Sequence, residues 1–280
     1  MSLDHTLEPT YPDINATSGI SLNWNAILTI AGRDVTRFLR EPLRLAFTIL
    51  LPIILVVGLA GPLQSSFGQA VSYNLMTFSI TGLLAMSLFQ STMNGLMSLI
   101  DDRMSDFSQE LFIAPISRYA IVFGKILGET IVALGQGIIL IIIGILIFGI
   151  PVSLISLLLI IPVSLIICLL GGSFGVLLTS IFSNQRTANM IMPFLLFPQF
   201  FLSGVFLPVR NLPWYLDILS KITPMRYAVD LARGIFYLGQ PASAQIVLFN
   251  PLLNLIIIAI MFAIFLILGT FLFVRAERNR

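Results

Sequence analysis

The chain has 280 residues, of which 57% are hydrophobic and 10% charged, with a net charge of +2 and a mean hydropathy of +0.99. A soluble chain of this length carries about 25% charged residues and cannot enclose so much apolar side chain in one core, so the composition is that of an integral membrane protein. The near-neutral balance excludes a basic nucleic-acid surface, the lone Cys168 excludes a disulfide framework or thiolate metal cluster, and the lone His5 removes most imidazole catalysis and His-based metal sites.

Residues 1–22 are polar, contain no Lys or Arg and lack an apolar core, so they read as a disordered cytoplasmic leader rather than a signal peptide. Residues 23–280 then form one transmembrane domain. Its first element, 24–39, places Trp24, Ile27, Leu28, Ala31, Val35, Phe38 and Leu39 at three- and four-residue spacing. Arg33, Asp34, Arg37 and Arg40 take the opposite face, a pattern suited to the headgroup region, and Pro42 breaks the helix.

Uncharged runs long enough for a bilayer, about 20 residues, follow at 45–63, 73–100, 131–150, 152–182, 188–207 and 248–274. The expected fold is therefore all-α, with six transmembrane helices and both termini on one side. Putting the termini in the cytoplasm leaves eleven of the fifteen Lys and Arg inside, and only Arg210, Lys221, Arg226 and Arg233 outside. No ionisable residue falls at the centre of a span so drawn, and neither an inverted repeat nor a phosphate-binding G-x-x-x-x-G-K-[ST] loop is present.

Between the second and third spans, Asp101, Asp102, Arg103, Asp106 and Glu110 lead to Ala114-Pro115-Ile116-Ser117-Arg118, the most charged stretch of the chain. It reads as a polar cytoplasmic projection, with Ser117 able to cap the helix that carries Lys125 and Glu129. Gly171-Gly172-Ser173-Phe174-Gly175 has the letters of a nucleophile elbow, but it lies inside an apolar span without a histidine partner. Gly171 with Gly175, and Gly124 with Gly128, read instead as small-residue contacts between helices. Outside, 208–240 is too polar to cross and too apolar to float free. It reads as two short re-entrant-like helices, the second starting at Thr223-Pro224, presenting Met225, Ala228, Leu231, Ile235 and Phe236 to the bilayer and ending at Gly239. Phe206, Trp214, Tyr227 and Phe236 are the candidate outer-gate residues, because they lie near the outer end.

The stretch Leu202-Ser203-Gly204-Val205-Phe206-Leu207-Pro208, then Leu212-Pro213-Trp214, Pro224-Met225-Arg226-Tyr227 and Asp230-Leu231-Ala232-Arg233-Gly234, resembles the C-terminal signature of ABC-2 type transporter permeases, in particular their drug-resistance and nodulation-export branch. Ala114-Pro115-Ile116-Ser117-Arg118 followed by Gly124-Lys125 is a second matching block. The resemblance implies a multi-pass subunit of a bacterial inner membrane, or of a plastid membrane, that performs no chemistry itself. It also implies a homodimer or heterodimer paired with a separate ATPase subunit that binds the ATP, no cofactor or metal in this chain, and export of an amphipathic or hydrophobic drug, lipid or glycan. By the same resemblance the loop between spans two and three seats in the ATPase, which maps onto Asp101, Asp102, Arg103, Phe107, Glu110, Leu111 and Pro115. The interfacial helix around Arg33, Arg37 and Arg40 makes a second contact. Met104 and Asp106 stand where such loops often carry Glu and Gly. An ion-coupled secondary carrier and a non-transporting membrane scaffold are the alternatives.

Overall fold

The computed structural model describes residues 18–69, 71, 73–104, 118–150, 152–182, 184–210 and 212–278, and all regular structure among them is helical. In chain order the helices are α1 (Ser18–Arg40), α2 (Pro42–Leu55), a π-helical turn (Val56–Ala60), α3 (Gly61–Phe67), α4 (Leu75–Met104) and α5 (Arg118–Phe148). Then come α6 (Leu154–Ile181), α7 (Gln185–Leu202), α8 (Trp214–Ile222), α9 (Pro224–Phe236), α10 (Ser243–Ile246) and α11 (Pro251–Arg278).

Among the described residues five stretches are long and apolar enough to cross a membrane: Leu45–Phe67, Leu75–Ser98, Ala120–Phe148, Leu154–Ile181 and Ser243–Leu272. The expected span at 188–207 is not among them. Its helix, α7, is 18 residues long, begins on Gln185 and Arg186, carries Asn189 and Gln199, and stops at Leu202 before a turn through left-handed Gly204 (φ +80°). The third span starts earlier than the uncharged run suggests, at Ala120 rather than 131, and so includes Lys125 and Glu129.

Helix ends follow local chemistry. Asn74 Oδ1 accepts from the N–H groups of Met76 and Thr77 at the start of α4, and Gln64 Oε1 accepts from Leu75 N–H. Ser153 and Asn184 cap α6 and α7 in the same way, through Ser156 N–H and Thr187 N–H. Gly149 ends α5 in left-handed backbone (φ +62°), its N–H donating to Ile145 O. Pro52 cannot donate inside α2, and the ladder widens into the π turn just after it.

Lipid offers helices no hydrophobic reason to associate, so their packing depends on how closely backbones approach. α4 is the central helix and packs against α5, α6 and α9, while α11 packs on α6 and α9. Gly171 and Gly175 set the α4–α6 contact: a methyl group on Gly171 would strike Phe89 O, and one on Gly175 would lie 2.8 Å from Met93 O. Gly269 does the same for α11, where an added Cβ would lie 2.7 Å from Leu177 N. α2 and α7 remain at the edge, with Phe47, Leu51, Ile54, Phe194, Phe197 and Phe201 exposed.

Candidate functional site

The apolar stripe of α1 divides into two. Ile30, Ala31, Asp34 and Phe38 are buried, whereas Trp24, Leu28 and Leu39 are exposed. The buried side lies on α5, where two glycines admit the α1 backbone. A Cβ on Gly124 would sit 3.1 Å from Ile27 Cα, and one on Gly128 would sit 2.9 Å from Ala31 Cα. Arg33, Arg37 and Arg40 are on a third face, together with Thr29 and Thr36.

At this seam the structure brings together three charged groups. Lys125 Nζ lies 3.0 Å from Asp34 Oδ1 and 3.7 Å from Glu129 Oε1, and all three side chains are nearly inaccessible. Arg33 Nη2 adds a 3.2 Å contact to Asp34 Oδ1 from the more exposed side. Glu129 in turn lies over Gly95 of α4, where any added Cβ would overlap its carboxylate. The cluster therefore ties α1, α5 and α4 at one point. Such a pair gains little net stability over an apolar one, but removing one member strands a buried charge.

The last turn of α4 contains Asp101, Asp102 and Arg103, whose side chains are outside the described residues; Phe107, Glu110, Leu111 and Pro115 lie outside the described residues altogether. Asp34, Lys125 and Glu129 were not singled out as a site from sequence. The legible signal is spacing: Asp34 falls three residues after Ala31 and four before Phe38, which puts it on the apolar side of α1 and not opposite it as expected, and Lys125 and Glu129 form an i,i+4 pair one residue from each of Gly124 and Gly128.

A second polar cluster sits at the opposite end of α4. The expectation that α9 presents one face to the bilayer does not hold: every residue of it except Ile235 is buried in the protein. Arg233 is inserted between helices, its Cζ 3.5 Å from the Phe78 ring centroid and its Nη2 donating to Phe78 O (3.2 Å) and Val205 O (2.8 Å). Gly82 leaves the notch, since an added Cβ would lie 2.7 Å from Arg233 Nη2. Burial lowers the Arg233 guanidinium to about 10, opposed by the nearby Asp230 charge, so it remains a cation at neutral pH. Asp230 accepts from Leu248 N–H (2.7 Å), Phe249 N–H (2.9 Å) and Asn254 Nδ2 (2.7 Å), which fixes the chain entering α11. Arg226 donates to Ser220 Oγ and lies 3.4 Å from Asp217 of α8. Hydrogen bonding from Lys221, and then from Arg226, holds the Asp217 carboxyl below its usual range.

This packing accounts for the position of each outer-gate candidate. Phe206 is buried with its ring 5.0 Å from that of Phe200, Tyr227 is buried and donates its hydroxyl to Lys221 O, and Phe236 is buried. Only Trp214 is free of the core, at 77% exposed.

A cleft of about 300 Å³ opens between α2, α4 and α5. One side is the apolar surface of α2, including Phe47 and Leu51, and the other carries Ser87, Gln90, Ser91 and Asn94 of α4 with Gln136 of α5. Sequence reading passed over this stripe, although residues at i, i+3, i+4 and i+7 in an otherwise apolar span make it legible.

The sequence model of the ABC-2 type transporter family matches residues 25–237. Among similar proteins, YbhR of Escherichia coli, named a probable multidrug ABC transporter permease, is 32% identical over 162 residues, covering 58% of this chain and 43% of YbhR. The matched region thus spans less than half of that relative's length. The inner membrane transport permease YadH of Escherichia coli is 25% identical over 212 residues, covering 75% of this chain and 82% of YadH. With more than half of its length matched, and with helices fit to cross a membrane, this chain belongs to the ABC-2 type transporter family of membrane permeases.

Proposed function

We propose that the protein is the membrane subunit of an ATP-driven exporter, moving an amphipathic or hydrophobic substrate and powered by a separate ATPase subunit that binds the nucleotide. Family membership carries this reading, together with the buried Asp34–Lys125–Glu129 cluster at the end of α5 nearest residues 105–117. A loop that receives a push from a soluble motor must pass it to rigid elements. The α1–α5–α4 junction supplies such an element, since a move of one helix carries the other two. Asp101, Asp102, Arg103, Phe107, Glu110, Leu111 and Pro115 are the proposed motor contact, and Arg33, Arg37 and Arg40 of α1 the proposed second one.

In this reading α7 is a sixth crossing. It begins where α6 ends, and the turn after it is held near the start of α6: Arg233 bonds Val205 O while Ser156 of α6 bonds Ile235 O. Eighteen residues rise about 27 Å, close to a hydrocarbon core of about 30 Å. Both termini then share the cytoplasmic side, as the distribution of Lys and Arg favours. A second permease copy, in a homodimer or heterodimer within a bacterial inner membrane, is part of the same proposal, and family membership supports it. The test is co-purification: the tagged chain expressed with its genomic neighbours is expected to retain an ABC ATPase in detergent. Replacing Asp102, Arg103 and Glu110 by alanine should remove substrate-stimulated ATPase activity while the chain still inserts. Normal stimulation in that variant would contradict the assignment of the loop.

A further inference from the structure

We propose that the cleft between α2, α4 and α5 is the substrate's headgroup site, and that it selects uncharged amphiphiles bearing a hydroxyl or amide hydrogen-bond donor. The inference rests on the exporter reading and narrows its substrate class.

The cleft lies within three stretches fit to cross a membrane, with Ser87 and Gln136 near the middles of Leu75–Ser98 and Ala120–Phe148 and Asn94 four residues from the end of the former. At that depth a polar side chain has no bulk water to satisfy it; Ser87 Oγ donates to Leu83 O, and the other four polar side chains lining the opening require an explanation. Gln136 is the most telling. It is only 6% exposed, it lines the cleft, and its Oε1 is buried without a hydrogen-bond partner. An orphaned amide oxygen is costly, and a ligand donor placed there recovers that cost. Gln90, Ser91 and Asn94 add further amide and hydroxyl groups along the same face of α4.

Among the described residues no Asp, Glu, Lys or Arg lines the cleft. A cationic or anionic headgroup would be desolvated there without a counter-charge, which the low-dielectric interior penalises far more than a neutral polar group. Across the opening Phe47 and Leu51 of α2 are apolar and largely exposed, a wall along which an alkyl tail can lie. A volume of about 300 Å³ is at the small end for a ligand pocket, enough for a headgroup while the tail remains in lipid.

The test uses the permease–ATPase complex in phosphatidylcholine nanodiscs and three diazirine-labelled dodecyl probes that differ only in headgroup: glycerol, primary ammonium or sulfate. The glycerol probe should label cleft peptides of α2 and α4 roughly tenfold more than either charged probe. ATP turnover should deplete that label, whereas a resident bilayer lipid would be retained. Gln136→Leu should lower glycerol-probe labelling about tenfold, with folding followed by size exclusion and retention of the ATPase. Gln136→Glu keeps an acceptor and adds a charge, so it should reverse the preference toward the ammonium probe, a change that mere misfolding does not produce. Equal labelling by all three headgroups, a preference unmoved by Gln136→Glu, or label insensitive to ATP would overturn the proposal. So would an Asn94→Cys variant that disulfide-links to a second copy and excludes every probe. If the wild-type complex transports the ammonium probe as well as the glycerol probe, the exporter reading stands and this site assignment falls. If ATP moves no probe at all, both fall.

Discussion

Replacing Lys125 by methionine isolates what the buried charge cluster contributes. The change keeps length and apolar volume but leaves Asp34, whose side chain is 2% exposed, without its 3.0 Å partner. Breaking a buried pair by removing one member typically costs about 3–5 kcal/mol. Arg33 stays within 3.2 Å of the same oxygen from a position one-third exposed, which puts the expected cost at the lower end, about 3 kcal/mol. The cost falls on the docking of α1 against α5, because that is the contact the pair spans. Amide hydrogen exchange along 24–40 reads this local equilibrium directly, and about 3 kcal/mol corresponds to roughly a hundredfold faster exchange. The double variant Asp34→Asn with Lys125→Met removes both charges of the α1–α5 pair and should recover part of that protection, the buried Glu129 carboxylate having also lost its Lys125 contact. Exchange within about twofold of wild type in Lys125→Met, or a double variant no better than the single, would refute the claim that the pair holds α1 in place.

Other parts of the structure make separate predictions. Arg233→Met should loosen the packing of α9 against α4 by about 3–5 kcal/mol, because the carbonyls of Phe78 and Val205 lose a charged donor inside the protein. Thermal unfolding in detergent should show it, with Arg233→Lys intermediate because an ammonium keeps charge but not the planar fork. Adjacent glycines should respond differently: Gly171→Ala forces a methyl group into Phe89 O, whereas Gly172→Ala meets side chains at ordinary contact distance, Ile126 at 3.4 Å and Leu96 at 3.9 Å. The first should reduce the yield of folded protein and the second should leave it unchanged. Asp230→Asn, which weakens three hydrogen bonds, should raise exchange at Leu248 and Phe249 by tenfold or more while leaving α1 unaffected.

How much was legible in the sequence depends on what each element packs against. Hydropathy locates four spans well, because lipid-facing segments must be apolar whatever their neighbours; α1 ends within a residue of the expected 39 but begins at Ser18, six residues ahead of the expected 24 and inside the stretch read as a leader. Hydropathy failed where the neighbour is protein. Thr223-Pro224 does start α9, but its apolar spacing suggests a lipid-facing side, whereas the helix is enclosed: Arg233 donates to the carbonyls of Phe78 and Val205, Asp230 accepts from the chain entering α11, and Arg226 bonds Ser220 of α8. Lys125 and Glu129 were assigned to a polar flank because an uncharged run was required; in the fold, Asp34 from another helix allows them to be buried. The single stripe of α1 could not be divided without knowing that Gly124 and Gly128 bring α5 against half of it. Pairings between elements distant in sequence are not written in periodicity.

The most direct measurement of the central claim is transport in proteoliposomes containing this chain and its co-purified ATPase, with the Walker-A lysine of that partner intact or replaced. ATP-dependent movement of the glycerol-headed probe that is abolished by replacing the lysine and unaffected by a protonophore is the predicted result. Transport that survives loss of the lysine and collapses with the protonophore would contradict it and identify an ion-coupled carrier.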